Sequence, residues 1–139
     1  MREGDTLGPR PLEGVPVLVV DDEPAIARVV ASLLRGAGAT VYTAASANAA
    51  IVTVCREAIE VLLTDVDLGG KDGVQLAREV TAANPAIAVV FMSGRGLTDW
   101  SAQGLLGAGA RFLAKPFDRR ALVMEVAAAA SAASTVSAS

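Results

Sequence analysis

Residues 61–73 read Val61-Leu62-Leu63-Thr64-Asp65-Val66-Asp67-Leu68-Gly69-Gly70-Lys71-Asp72-Gly73. Four residues of strand-like character, Val61 to Thr64, run straight into Asp65 and then Asp67, and a glycine-rich turn restarts at Asp72. An apolar run this short, closed by acids and glycines, reads as a buried parallel strand whose carboxyl end opens onto a loop. Ligands of open α/β sheets bind at that edge. Asp65 is therefore a carboxylate placed where chemistry usually happens, and its companions there decide the function.

Upstream, Val15-Pro16-Val17-Leu18-Val19-Val20 is a continuous apolar strand that stops at Asp21-Asp22-Glu23. Pro24 suits the first turn of a helix, where its missing N–H is not needed. Ile26, Val29, Val30, Leu33 and Leu34 then recur on one helical face, and Gly36 and Gly38 end the helix. Thr40 to Thr43 is a short strand. Ser46 caps a helix through about Glu57, with Ala50, Ile51, Val54 and Ala58 inward. Residues 1–14 carry Gly, Pro and charges without periodicity and read as a flexible lead-in.

Downstream, Asp72 caps a helix carrying Val74, Leu76, Ala77 and Val80 that ends at Asn84-Pro85. Ile87 to Met92 is another apolar strand, stopping at Ser93-Gly94-Arg95-Gly96. A weaker helix spans Thr98 to about Leu106, where Gly104 and Gly107 each cost about 1 kcal/mol of propensity relative to Ala. Arg111 to Ala114 is a short strand ending at Lys115-Pro116-Phe117. Asp118 caps a last helix with Leu122, Val123 and Val126 inward, and beyond Ala130 the pattern dissolves into an Ala/Ser tail. Five strand–helix units with near-continuous apolar strands require a parallel sheet covered by helices on both faces.

Composition narrows the function. The 139 residues suit one core. Although 53% of residues are hydrophobic and the mean hydropathy is +0.47, no run reaches the roughly 18 to 20 apolar residues of a membrane span. The N-terminal stretch has no apolar signal core. A net charge of −3, with no run of Lys or Arg, argues against nucleic-acid binding by this chain. The single Cys55 cannot form an internal disulfide, fits a reducing cytoplasm, and in its helical pattern reads as a small buried or half-buried hydrophobe. There is no histidine, which excludes His-based catalysis, His metal ligation and a phosphohistidine on this chain.

Four of the five strands end in polar residues that can meet on one edge. Asp21 and Asp22 follow the first, Asp65 the third, Ser93 the fourth and Lys115 the fifth. Carboxylates sharing a pocket repel by about 4 kcal/mol per pair at ~4 Å and an effective dielectric of ~20. A divalent cation removes that penalty, and an oxygen-only ligand set points to Mg²⁺ or Mn²⁺. A Lys and a hydroxyl beside such a metal suit an anion with oxygens to spare, such as a phosphoryl group.

From Val15 to about Ala130 these motifs, taken together and in order, resemble the receiver domains of two-component response regulators. The resemblance implies a doubly wound, flavodoxin-like five-stranded parallel sheet in the order 2-1-3-4-5, occupying residues 15–131, with a disordered tail at 132–139. It implies that Asp65 accepts a phosphoryl group from a sensor histidine kinase or a histidine phosphotransfer protein. It implies Mg²⁺ held by Asp22, Asp65 and the backbone carbonyl of Asp67, with Asp21 acting through water. Lys115, before a cis-Pro116, and Ser93 would contact phosphoryl oxygens. Ser93 and Phe112 would form the switch that reshapes the last two strand–helix units, which are also the expected route to a homodimer. The location implied is cytoplasmic.

Each residue has a plainer reading when taken alone: Asp21 and Asp22 as a helix N-terminus, Ser93 as a turn, Lys115 as a solvated charge, Phe112 as core. The conjunction carries the functional reading. Gly69 stands where many relatives have Pro, and Phe112 where many have Tyr. Asp67 and Arg95 border the pocket and are expected to pair across its mouth, tuning access of water. The stretch Leu62 to Gly70 also resembles the opening motif of haloacid-dehalogenase phosphatases. That class wants Thr or Val at 69 and its acid pair after the Lys, and neither holds. A receiver fold used purely as an interaction module is the remaining alternative. Free-standing regulator and receiver segment of a hybrid histidine kinase or larger regulator fit the sequence equally.

Overall fold

Apolar runs without alternation must be covered on both faces, and the computed structural model, which describes residues 10–68, 71–94 and 111–138, covers them. Five strands, β1 (Pro16–Val20), β2 (Thr40–Ala44), β3 (Val61–Asp65), β4 (Ala88–Ser93) and β5 (Arg111–Ala114), form one sheet in the order β2-β1-β3-β4-β5. Every pairing in it is parallel, with Val20 opposite Ala44 and Thr64, and Asp65 opposite Met92. Among the described residues four helices pack on it: α1 (Pro24–Gly36), α2 (Ala47–Arg56), α3 (Gly73–Ala83) and α4 (Arg119–Ala138). An antiparallel ribbon of two-residue strands, Asp67–Leu68 with Lys71–Asp72, joins β3 to α3.

Alternate residues of each strand serve opposite faces, as the two-residue period of a strand requires. Val17, Val19, Val61, Leu63, Val90 and Met92 share a core with Leu34 of α1 and with Leu122, Val123 and Val126 of α4. Leu18, Val20, Leu62 and Phe91 share the other with Ala47 and Ala50 of α2 and with Val74, Leu76 and Val80 of α3. The chain leaves β1 towards β2 on one side and returns to β3 on the other. The carboxyl ends of β1 and β3 therefore flank the switch point of the sheet, where a crevice forms.

Two helix caps follow the sequence reading, whereas Asp72, read as the cap of α3, belongs to the two-residue ribbon strand before it. The Ser46 hydroxyl accepts from Ala49 N–H at 3.1 Å and the Asp118 carboxylate from Ala121 N–H at 2.8 Å. The Lys115–Pro116 peptide is cis.

Several expectations need correction. Val29 lies on the solvent side of α1, 60% exposed, because the buried stripe is Ala27, Val30, Ala31 and Leu34, and small alanines complete it. Helix α2 stops at Arg56, so Ala58 falls beyond it and is exposed, and Cys55 is exposed rather than buried. The lead-in is docked over its last residues. Leu12 is fully buried, its N–H donates to Ala37 O at 2.9 Å, and Gly14 N–H donates to Gly38 O at 3.1 Å. At the other end α4 continues to Ala138, well past Ala130, since alanine favours helix even where no hydrophobic stripe continues. The helix expected over 98–106, with Gly104 and Gly107, and the residues Gly69 and Arg95 lie outside the described residues.

Candidate functional site

Asp21 lies one residue beyond β1 and Asp65 is the last residue of β3, and the two loops turn there in the same way. Asp21 Oδ1 accepts Glu23 N–H at 2.9 Å, and Asp65 Oδ1 accepts Asp67 N–H at 3.0 Å. Each carboxylate thereby folds its own loop through a bond two residues on, the usual device of an aspartate opening a turn. One oxygen of each is taken up by the backbone. The other faces the crevice.

Lys115 reaches both remaining oxygens. Its ammonium lies 2.8 Å from Asp65 Oδ2 and 3.5 Å from Asp21 Oδ2. Its own backbone N–H donates to Ser93 O at 2.8 Å, which ties the end of β5 to the end of β4. Ser93 closes β4 and is buried. Asp22 is exposed, yet its carboxylate joins the group: one oxygen from each of Asp21, Asp22 and Asp65 lies within 4.8 Å of the others. The structure thus brings together Asp21, Asp22, Asp65, Ser93 and Lys115 on one edge. Asp67 borders them, exposed, with its backbone N–H on Asp65. Phe112 stands apart on β5, opposite Phe91, half-buried against the core on the α2 and α3 side. Arg95, the expected partner of Asp67, lies outside the described residues.

One ammonium faces two carboxylates with a third beside them, and the electrostatics reflect it. Burial pushes the Asp21 carboxyl above the usual carboxylate range, outweighing the Glu23 N–H and the nearby Lys115 charge that pull it down. Burial also works against the Lys115 charge, but the hydrogen bond to Asp65 and the charges of Asp65 and Asp21 overcome it and raise the ammonium above its ordinary value. The site has an excess of negative charge. Its donor set is oxygen only, which fits a hard, partly hydrated divalent cation such as Mg²⁺. Ligand oxygens around such an ion lie roughly 3 to 4 Å apart for bonds of ~2.1 Å, close to the spread of these three carboxylates.

Two further residues shape this site in ways their sequence context does not announce. Gly73 does more than allow a turn, because it opens α3 against the main chain of Asp65. A Cβ there would overlap the Asp65 carbonyl oxygen and lie 3.0 Å from the Asp65 carbonyl carbon and 3.1 Å from Val66 Cα. Thr64 does more than extend the strand: it is fully buried and donates its hydroxyl to the Asp65 carbonyl at 2.9 Å. A lone hydroxyl in an otherwise aliphatic strand is the one sequence signal for it.

Comparison with known proteins agrees with this geometry. The family model of the response regulator receiver domain matches residues 17–127. The probable transcriptional regulatory protein TcrX of Mycobacterium tuberculosis is 31% identical over 114 residues, covering 82% of this chain and 49% of TcrX. The transcriptional regulatory protein FixJ of Azorhizobium caulinodans is 33% identical over 116 residues, 84% of this chain and 55% of FixJ. The chain thus spans about half the length of these relatives. A crystal structure of a response regulator receiver domain protein from Clostridium thermocellum superposes with a TM-score of 0.78 at 26% identity, over 88% of this chain and 98% of that one.

Proposed function

The chain belongs to the response regulator receiver domain family, a component of two-component signalling, and from that premise we propose that it is a switch set by phosphorylation of Asp65. The observation that carries the reading is the Asp65 carboxylate at the carboxyl end of β3. Its Oδ1 is fixed by Asp67 N–H, its Oδ2 lies 2.8 Å from the Lys115 ammonium, and two further carboxylates stand beside it. A nucleophile held this way needs little reorganisation to attack phosphorus.

The donor is a phosphohistidine of a sensor kinase or histidine phosphotransfer protein. An Asp65 carboxylate oxygen bonds to phosphorus as the P–N bond breaks, and the imidazole nitrogen keeps the bonding pair. Lys115 then turns from Asp65 to a phosphoryl oxygen, matching the charge the group brings. Ser93, on β4, supplies a hydroxyl to another. Asp21, Asp22, Asp65 and the Asp67 carbonyl would hold Mg²⁺, which when bound neutralises charge on the transferring group. Ser93 on β4 neighbours β5, so its movement reaches Phe112 through the paired strands, and the surface made by β5 and α4 is the readout. A protein target docks there. Among the described residues no helix is long and apolar enough to cross a membrane.

Intact mass after incubation with acetyl phosphate tests this directly. A single Mg²⁺-dependent phosphoryl adduct, lost in Asp65→Asn, is the expected result. No adduct under any condition overturns the reading and leaves a receiver fold that acts by contact alone.

A further inference from the structure

The Asp65–Val66 peptide is pinned at both of its polar ends. Its carbonyl accepts the Thr64 hydroxyl at 2.9 Å, and its N–H donates to Met92 O of β4 at 3.0 Å. The carbonyl also lies beyond the last pair of the β1–β3 ladder, Val20 with Thr64, where the ladder bonds have ended. Behind it stands α3, packed so closely that position 73 admits no Cβ, and Gly73 N–H donates to Val66 O at 2.7 Å.

Packing alone does not call for a threonine here. Thr64 is fully buried, opposite Val20 and Phe91, and the other three residues of its run are Val61, Leu62 and Leu63. Valine would fill the same volume without burying a hydroxyl, which is unfavourable unless hydrogen-bonded. The hydroxyl bonds to the backbone of the neighbouring aspartate, a contact that the core does not need.

We propose that Thr64 is a positioning residue: with Gly73 behind the same carbonyl, its hydroxyl fixes the Asp65 peptide plane and hence where the Asp65 carboxylate stands relative to Lys115 and Asp67 N–H. The effect on rate rests on Asp65 being the phospho-acceptor. The effect on the peptide does not. Reacting groups misplaced by about 1 Å lose on the order of 100-fold in rate, so the smaller tilt released by one hydrogen bond costs several-fold.

The test compares wild type with Thr64→Val, which keeps the shape, and Thr64→Ser, which keeps the hydroxyl. Phosphorylation by acetyl phosphate in Mg²⁺ is expected to slow roughly three- to tenfold in Thr64→Val and to return to within about twofold of wild type in Thr64→Ser, with the urea midpoint of Thr64→Val close to wild type. A wild-type rate in Thr64→Val overturns the proposal, and so does a Thr64→Ser as slow as Thr64→Val, which would assign the effect to the methyl group. If Thr64→Val proves unstable, Thr64→Ala and Thr64→Ser, both lacking the methyl packing, separate the two causes: the rate follows the hydroxyl or the proposal fails. Hydrogen exchange of the Val66 amide reads the peptide itself. It is expected to be faster in Thr64→Val and restored in Thr64→Ser, and equal exchange in all three overturns the clamp. Should wild type accept no phosphoryl group, the acceptor reading falls while the amide exchange still decides the role of Thr64.

Discussion

Leu12→Ala should destabilise this protein by about 2 to 3 kcal/mol, although position 12 lies ahead of the matched family region and in a stretch with no pattern. Leu12 is fully buried in the core that contains Val17, Leu34 and Ala37. Truncating a buried leucine costs about 2 to 5 kcal/mol, most where the cavity persists. The lower end applies here because residues 10–14 can settle inward or lift away. What holds them besides Leu12 is modest: the 2.9 Å bond to Ala37 O, the 3.1 Å bond from Gly14 to Gly38 O, and an exposed Arg10–Glu13 pair. Each neutral bond contributes about 1 kcal/mol net, and the exposed ion pair less. For a domain of this size about 3 to 4 °C of melting temperature accompanies each kcal/mol, so the midpoint should fall by roughly 6 to 12 °C. Urea denaturation followed by circular dichroism measures the loss directly. The proposed phosphorylation of Asp65 should keep its wild-type rate, since residues 12–15 bond to the turn after α1 and to the start of β2, at the opposite end of the sheet. A loss below about 0.5 kcal/mol would refute the inclusion of the lead-in in the core.

Two other perturbations have signs fixed by the structure. Asp21 has a folded-state pKa above its unfolded value, so the folded protein binds the proton more tightly and stability falls as pH rises through the folded pKa. At neutral pH and without metal, Asp21→Asn should therefore raise the urea midpoint and flatten the pH dependence of stability on the acid side, while weakening stabilisation by added Mg²⁺; a lower midpoint in Asp21→Asn would contradict the sign. Gly36 has open space around its missing side chain, whereas Gly38 has φ +103°, and a Cβ added to it would lie 2.9 Å from the Glu13 backbone. Gly36→Ala should be neutral or stabilising by up to about 1 kcal/mol. Gly38→Ala should cost about 2 kcal/mol or more, because left-handed backbone is unfavourable for alanine and the Glu13 contact must give. Thermal melts of the two variants that moved together would defeat this distinction.

How much of the molecule is legible in its sequence follows from what each residue's signal depends on. The strands declare themselves because continuous burial of Val17 to Val20 and Val61 to Leu63 demands apolar residues at every position. The site does so because Asp21, Asp65, Ser93 and Lys115 interrupt or end such runs, and a buried charge at a strand end has few structural uses. Val29 misleads because periodicity counts an apolar residue as inward, whereas Ala27 and Ala31 carry that face of α1. Leu12 is silent because a single anchor in an irregular stretch has no period. The hydroxyl of Thr64 shows in the sequence only as an odd residue in an aliphatic run, because its direction depends on where the β1–β3 ladder ends, which is a property of two strands and not of one.

The excess charge at the site bears on how a switch can work. Shifting a two-state equilibrium from about 1:99 to 99:1 needs roughly 5.5 kcal/mol of differential interaction. One charge pair at ~4 Å and an effective dielectric of ~20 is worth about 4 kcal/mol. On the proposed function, a phosphoryl group on Asp65 would take the Lys115 ammonium away from Asp65 Oδ2 and add negative charge beside Asp21, which burial already holds against ionisation. Changes of that kind would involve one or two charge pairs, comparable to the required shift without any large rearrangement of the core. The bonds of both Oδ1 atoms to their own loops fit the same reading. With Glu23 N–H and Asp67 N–H holding the carboxylates in place, the electrostatic change of the proposed switch would be delivered to Lys115 and to the β4–β5 edge that it ties together through Ser93, without being dissipated by rotation of Asp21 or Asp65.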